Sequence, residues 1–166
     1  MKDKIIRATT VPSTLLAFCT GMLKELSDKY EIVAVSSPDE ELTLVGQQEG
    51  VKTIGVHMER HISLTNDLKS LWKLYKVFRS EKPKMVHSMT PKAGLLARVP
   101  VRVHTFTGLV FPTATGLTKK ILMATDWLTC ACATHIIPEG EGVKNDLLNN
   151  GITKKPIKVL GYGNIR

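Results

Sequence analysis

The sequence predicts an open α/β domain, a mostly parallel sheet with helices on both faces, and three observations carry that expectation. Strand-like and helix-like runs alternate along the whole chain. The strand runs are continuously apolar rather than alternating, as in sheets covered on both sides. Several stop in Thr, Ser, Gly or Lys, as strands do where their carboxyl ends open into loops that line a ligand crevice. The stretch Val86–Gly108 (VHSMTPKAGLLARVPVRVHTFTG) shows this most fully. It holds two strand-like runs, each ending in small hydroxylated residues, and is expected to form the floor of a substrate cleft.

The elements follow in order. Lys4–Val11 is the first strand, ending in Thr9 and Thr10 before Pro12. Ser13 or Thr14 can cap a helix whose Leu15, Cys19, Met22 and Leu26 recur at three- and four-residue spacing. Glu31–Ser36 is a short buried strand. Pro38, Asp39 and Glu40 open a second helix that closes near Gly50. Val51–His57 is the third strand.

A longer amphipathic helix covers Thr65–Ser80, with Leu68, Leu71, Trp72, Tyr75 and Phe78 as its inner stripe. Lys84–Met89 and Val101–Thr107 are the fourth and fifth strands. Thr118–Cys132 is helical and Ala133–Ile137 is the sixth strand. A short helix then spans Gly142–Asn150, and Pro156–Leu160 completes a sheet of about seven strands. Parallel neighbours need a crossover of about a dozen residues or more. The stretch between Thr90 and Val101 is short for one, so residues missing between Gly94 and Val99 are expected. The ending Gly161–Tyr162–Gly163–Asn164 resembles the start of a linker, as though the chain were cut.

At 166 residues the chain has the size of one domain with a substantial core. Its net charge of +8 implies an anionic partner: a phosphorylated substrate, an acidic membrane surface or nucleic acid. With 5% aromatic residues, stacking platforms for single strands are sparse, and no nucleic-acid partner is expected. Three cysteines in apolar runs, with no signal peptide, fit a reducing, cytoplasmic setting. No apolar run approaches the roughly 20 residues that span a bilayer, so any membrane contact is peripheral.

The turn after the first strand, TTVPST, has no glycine, and no phosphate-binding glycine loop occurs. This weighs against a nicotinamide or flavin enzyme. Cys130, Cys132 and His135 lack a second ligand pair, and buried thiols in a helix account for the two cysteines better than a metal. No cofactor or metal is expected. His87 and His104 lie within strands and read first as packed, hydrogen-bonded residues; His104, nearer its strand end, is the better candidate for a role. Arg60 leaves the third strand as either a bidentate clamp on a phosphate or a partner of Asp67. Thr10, Ser13, Thr90, Lys92 and Thr107 fall at strand ends and converge on one edge, offering hydroxyls and a cation to a sugar or phosphate. Lys119 and Lys120 before an apolar run, with Leu109–Phe111 just ahead, form either a core helix with a charged start or a lipid-docking segment.

Three motifs carry a resemblance. TTVPSTLLAFCTGM, RHISLTNDLKSLWKLYKVFRSEKPKMVHSMTPKAGLL and VPVRVHTFTGLVFP, in that order, resemble bacterial family-4 glycosyltransferases of capsule, O-antigen and exopolysaccharide synthesis. The closing KVLGYGNIR is similar to the end of their amino-terminal domain. The resemblance implies half of a GT-B fold, two Rossmann-like domains facing across a cleft, of which residues 1–166 are the acceptor-side domain. It implies a retaining hexosyl transfer without metal, from a nucleotide sugar, UDP-linked, to a saccharide or polyprenyl-diphosphate acceptor. It also implies a cytoplasmic enzyme, peripheral at the inner face of the plasma membrane. Carried over residue by residue, it places Thr10, Pro12, Ser13, Thr107, Gly108 and Glu139 at the substrates, and Arg60, Thr90, Pro91 and Lys92 join them from the loops that follow the third and fourth strands. The chain departs from relatives where Thr107–Gly108 replaces a His-Gly pair, so no catalytic residue is assigned. The donor-site glutamates of the second domain have no counterpart here, and residues 1–166 alone are expected to be inactive. A non-catalytic, membrane-recruiting subunit of a split glycosyltransferase is the alternative.

Overall fold

A computed structural model of the chain describes residues 2–59, 64–90 and 99–160. Six strands form one sheet: β1 (Lys4–Ala8), β2 (Glu31–Ser36), β3 (Lys52–Gly55), β4 (Met85–Ser88), β5 (Val101–Phe106) and β6 (His135–Pro138). Their order is β3-β2-β1-β4-β5-β6, and every pair is parallel. The order reverses between β1 and β4, the switch point at which open α/β sheets hold their ligands. Among the described residues, six helices accompany the strands: α1 (Pro12–Cys19), α2 (Met22–Ser27), α3 (Glu40–Glu49), α4 (Leu64–Glu81), α5 (Gly116–Cys132) and α6 (Glu141–Asn149). A 3₁₀ turn at Phe111–Thr113 precedes α5.

The sheet is covered on both faces, which is why its strands are continuously apolar. Ile32 and Ala34 pack with Leu15, Cys19, Leu23, Leu42 and Val45 of α1, α2 and α3. Ile6, Ala8, Val33, Val35 and Val86 point the other way and pack with Leu74 and Phe78 of α4. A third cluster joins Phe106 and Ile136 to Phe111, Cys130 of α5 and Leu147 of α6. The expected α/β class and parallel sheet are therefore present.

Several boundaries differ from the sequence expectation, each for a physical reason. The single helix expected after Pro12 is two. Thr20 Oγ1 donates back to the Leu16 carbonyl at 2.5 Å, and Gly21 takes φ +77°, which ends α1 and restarts the chain as α2. The break shifts the helical phase, so Leu23 is buried where Met22 was expected and Met22 is exposed. The buried Glu49 carboxylate caps the restart, accepting from Gly21 N at 2.7 Å and Lys24 N at 3.0 Å.

In α4 the stripe is rotated. Leu74 and Phe78 are buried with Ser70, while Leu68 and Trp72 are exposed. Ser70 can sit inside because its hydroxyl is bonded to the carbonyls of His57 and Asn66, both at 2.8 Å. The expected seventh strand, Pro156–Leu160, is no part of the sheet; Pro156 brings no N–H to a ladder, and the segment is non-strand chain beside β6. Just before it, Lys155 Nζ donates to the carbonyls of Cys130, Ala131 and Ala133 at 2.7, 2.9 and 2.5 Å, capping the end of α5. The expectation of missing residues between Gly94 and Val99 falls on positions 94–98, outside the described residues.

Candidate functional site

Parallel strands put all their carboxyl ends on one edge, and the loops leaving that edge are tied to each other. Thr9 N donates to Val35 O at 3.0 Å, and Ser37 N to Thr10 O at 3.3 Å, joining the turns after β1 and β2. Ser37 Oγ both donates to Met58 O and accepts from Met58 N, each at 3.0 Å, which adds the segment after β3. Gly55 belongs to the same junction, since a Cβ there would lie 2.8 Å from the Pro38 side chain. Met89 N donates to Ala8 O at 3.0 Å, and Glu139 N to Phe106 O at 2.9 Å. These bonds tie the ends of β1, β2, β3 and β4 into one part of a rim, and the ends of β5 and β6 into another.

The residues singled out from sequence distribute along this rim. Thr10 and Ser13 are half-buried; Pro12 is buried as the first residue of α1. That helix has no side-chain cap: Val11 occupies the cap position, not Ser13 or Thr14. Thr90 is buried beneath the rim. Thr107 and Gly108 are exposed at the end of β5, with half-buried Glu139 beside them through its bond to Phe106. Gly108 has φ +155°, a conformation that favours glycine. The structure therefore brings Thr107, Gly108 and Glu139 together, and Thr10, Pro12 and Ser13 together at the switch point. Arg60, Pro91 and Lys92 lie outside the described residues.

Beneath the rim runs a polar chain through the sheet. Arg7, nearly buried in β1, donates to His87 Nδ1 and, through Nη2, to Met89 Sδ at 3.2 Å. With Nδ1 accepting, His87 Nε2 carries the proton and donates to Thr105 Oγ1 at 2.7 Å. Burial, and then the charge of Arg7, push the His87 imidazole down to about 3, so it stays neutral. On the opposite face His104 is fully buried, bonded to Ser88 Oγ at 2.9 Å and edge-on to Phe106, and burial pushes it down to about 3. His104 is therefore a packing histidine beneath the rim and not a group facing the cleft.

No carboxylate lies within ion-pair distance of Arg7 among the described residues, and its Nε is buried without a partner. Sequence reading missed Arg7, although a basic residue inside an apolar strand is a visible signal. It also missed Thr9, Ser36 and Ser37, which the strand-end rule applied to Thr107 would have found. Cys130 is buried in α5, and burial pushes its thiol up to about 12. His135 is exposed with Nδ1 3.0 Å from Thr134 Oγ1, and no group of three metal-ligating side chains occurs among the described residues.

A chain with this β3-β2-β1-β4-β5-β6 sheet is similar to known proteins. A model of the glycosyl transferase 4-like domain matches residues 17–163. The chain belongs to the glycosyl transferase 4-like family. It is 34% identical over 170 residues to the capsular polysaccharide biosynthesis glycosyltransferase CapM of Staphylococcus aureus, covering 97% of this chain and 44% of that protein. Over 88 residues it is 35% identical to the Escherichia coli UDP-Gal:alpha-D-GlcNAc-diphosphoundecaprenol alpha-1,3-galactosyltransferase, covering 47% of this chain and 22% of that one. The chain thus spans less than half the length of the curated relatives it matches. Among solved structures, the S. aureus MnaA-UDP co-structure superposes with a TM-score of 0.68 at 21% identity, over 99% of this chain and 44% of that chain. At that identity the likeness shows a shared fold. No helix among the described residues is long and apolar enough to cross a membrane.

Proposed function

We propose that this glycosyl transferase 4-like chain is the acceptor-side half of a retaining, GT-B glycosyltransferase of capsule or related polysaccharide synthesis. The observation that carries this reading is the 34% identity to a capsular glycosyltransferase over 97% of this chain. The second relative is named for a UDP sugar donor and a diphosphoundecaprenol-linked acceptor. Those two substrate classes suit a chain of net charge +8. The reaction moves a hexosyl group from a UDP-linked sugar to an acceptor hydroxyl, with the diphosphate leaving on the side of attack. No metal or cofactor is needed.

In this reading the rim holds the acceptor. Thr107, Gly108 and Glu139 present a hydroxyl, bare backbone and a carboxylate to sugar hydroxyls. Thr10, Ser13 and the uncapped start of α1 face the phosphates. Arg60, Thr90, Pro91 and Lys92 complete the set. Positioning the acceptor supplies the rate, because a held hydroxyl attacks as an intramolecular group. The donor-gripping domain is not among residues 1–166, so this segment alone should turn over no nucleotide sugar. The enzyme is cytoplasmic and peripheral at the inner membrane face, where a polyprenyl-diphosphate acceptor lies.

The test is transfer of labelled hexose by the full-length protein from a UDP sugar to a GlcNAc-diphosphate-lipid acceptor. Thr107→Val and Glu139→Gln should each raise the KM for acceptor about tenfold, the scale of one lost hydrogen bond to substrate. The KM for the UDP sugar should stay unchanged. Failure across a panel of UDP sugars and diphosphate-linked acceptors would overturn the reading.

A further inference from the structure

Arg7 is a cation inside the sheet that has no anion in the site described above. It stands in β1 between Ile6 and Ala8, both fully buried, and is itself only 7% exposed, with its Nε buried without a partner. All fifteen Asp and Glu residues lie among the described residues, and none is within ion-pair distance of it. Glu49, the buried acid of α3, has its two oxygens bonded to Gly21 N and Lys24 N. The groups around the guanidinium are neutral. His87 and Met89 accept from it, and Cys19 of α1 lies beside it. Burial pushes the Cys19 thiol up against the opposite pull of Arg7, just as it keeps His87 unprotonated. Burying a lone charge is costly, and an apolar side chain of similar volume would fill the space without that cost.

Register fixes where this charge sits. Arg7 pairs with His87 and Ala8 with Ser88, while Met89 N bonds Ala8 O. Arg7 Nη2 reaches Met89 Sδ at 3.2 Å, so the guanidinium leans toward the carboxyl edge. Thr10 follows three residues after Arg7, and α1 begins two residues later at Pro12. At about 3.3 Å per strand residue, the charge lies within roughly 10 Å of the rim at Thr10. It is centred between β1 and β4, where the strand order reverses. An arginine paired with a carboxylate has its field largely cancelled at that distance. An unpaired one projects its field onto the rim.

We infer that Arg7 is the buried counter-charge for a diphosphate bound at the rim above β1 and β4, a positioning residue that draws this anion without touching it. The uncapped start of α1 presents its N–H groups at the same place, and Arg7 adds a full positive charge from beneath. Because the guanidinium is buried, salt screens it less than it screens a surface lysine. Its neutral partners hold it in place without spending its charge. The inference rests on the proposed function for the source of the diphosphate, which is either the UDP sugar or the prenyl-diphosphate acceptor.

The test reads binding to the full-length protein as a rise in its urea midpoint, with inorganic pyrophosphate, UDP and farnesyl diphosphate as probes. Arg7→Gln removes the charge and keeps an N–H donor on the side chain, whereas Arg7→Lys keeps the charge. Pyrophosphate should raise the midpoint of the unsubstituted protein. Arg7→Gln should need about tenfold more of it for the same rise, the scale of one charge acting across about 10 Å at an effective dielectric constant of about 20. Arg7→Lys should stay within about twofold of the unsubstituted protein. Whichever of UDP and farnesyl diphosphate loses about tenfold in Arg7→Gln identifies the diphosphate as the donor's or the acceptor's. Equal affinities in Arg7→Gln for all three probes, or no rise with any of them, would overturn the inference. So would an equal loss in Arg7→Lys, which would make side-chain shape rather than charge the cause. If neither Arg7→Gln nor Arg7→Met folds, the cation is structural and the inference falls. Binding is read without turnover, so the two proposals fail apart. Absent transfer with a charge-dependent diphosphate affinity sinks the function alone, and normal transfer with affinities indifferent to Arg7 sinks only the inference.

Discussion

His87 and His104 are held neutral on opposite faces of the sheet, each pushed down to about 3, whereas an unfolded chain protonates histidine near its ordinary 6.5. The unfolded state therefore takes up two more protons than the native state as pH falls through 6.5. Their contribution is complete above that value and is lost progressively toward 3. Asp126 acts in the opposite sense. Burial pushes its carboxyl up to about 6 from 3.8, so the native state gains a proton first and stability rises as pH falls between those values. Between pH 6 and 4 the proton taken up by native Asp126 offsets part of the histidine loss, in a share reduced by the solvent that reaches it. Asp126→Asn removes the offset and should steepen the loss. Urea denaturation at a series of pH values measures it, and an unchanged slope in the variant would refute the assignment.

At the scale of elements, existence was legible and facing was less so. α3 was readable end to end. Asp39 accepts from Leu42 N at 3.0 Å as the cap, and Gly50 closes the helix at φ +65°. α4 was readable as a helix, but Leu68, Leu71, Trp72, Leu74, Tyr75, Val77 and Phe78 wrap more than one side of it. Periodicity alone then selects a stripe by counting apolar residues, and a buried serine at the centre of the true stripe defeats the count. Leu74→Ala should cost about 2–5 kcal/mol, as for a fully buried leucine. Leu68→Ala should stay within about 0.5 kcal/mol, as at the surface. Equal losses in a paired denaturant titration would restore the stripe expected from sequence. The break between α1 and α2 was legible only in part: Gly21 was visible, but the Thr20 bond that ends α1 is a local competition between side chain and backbone.

At the scale of the molecule, the sheet order follows from chain logic. Short βαβ crossovers of one hand place β1 at the centre, and the hydroxylated strand ends then fall together. That is why Thr10, Ser13 and Thr107 could be named from sequence as residues of one edge. The Arg7–His87–Thr105 chain could not, because it joins residues 80 and 18 positions apart that only register brings into line. The seventh strand failed for a related reason. An apolar run after a turn looks like a strand whether or not a sheet edge accepts it, and Pro156 stands at the point where pairing would begin.

Lys155 has a consequence of a different kind. By binding three carbonyls at the end of α5, it fastens residue 155 to residues 130–133 and closes β6 and α6 into a ring without a covalent bond. A chain segment tied at both ends opens as one cooperative unit rather than fraying from its terminus. The amides of β6 and α6 should therefore share a single opening free energy in native-state hydrogen exchange. Lys155→Met should accelerate them together by roughly ten- to a hundredfold, the scale of lost hydrogen bonds to a charged group. The amides of β1 and β2 should keep their rates. Erosion from residue 160 inward, one amide after another, would show that the ring is not closed.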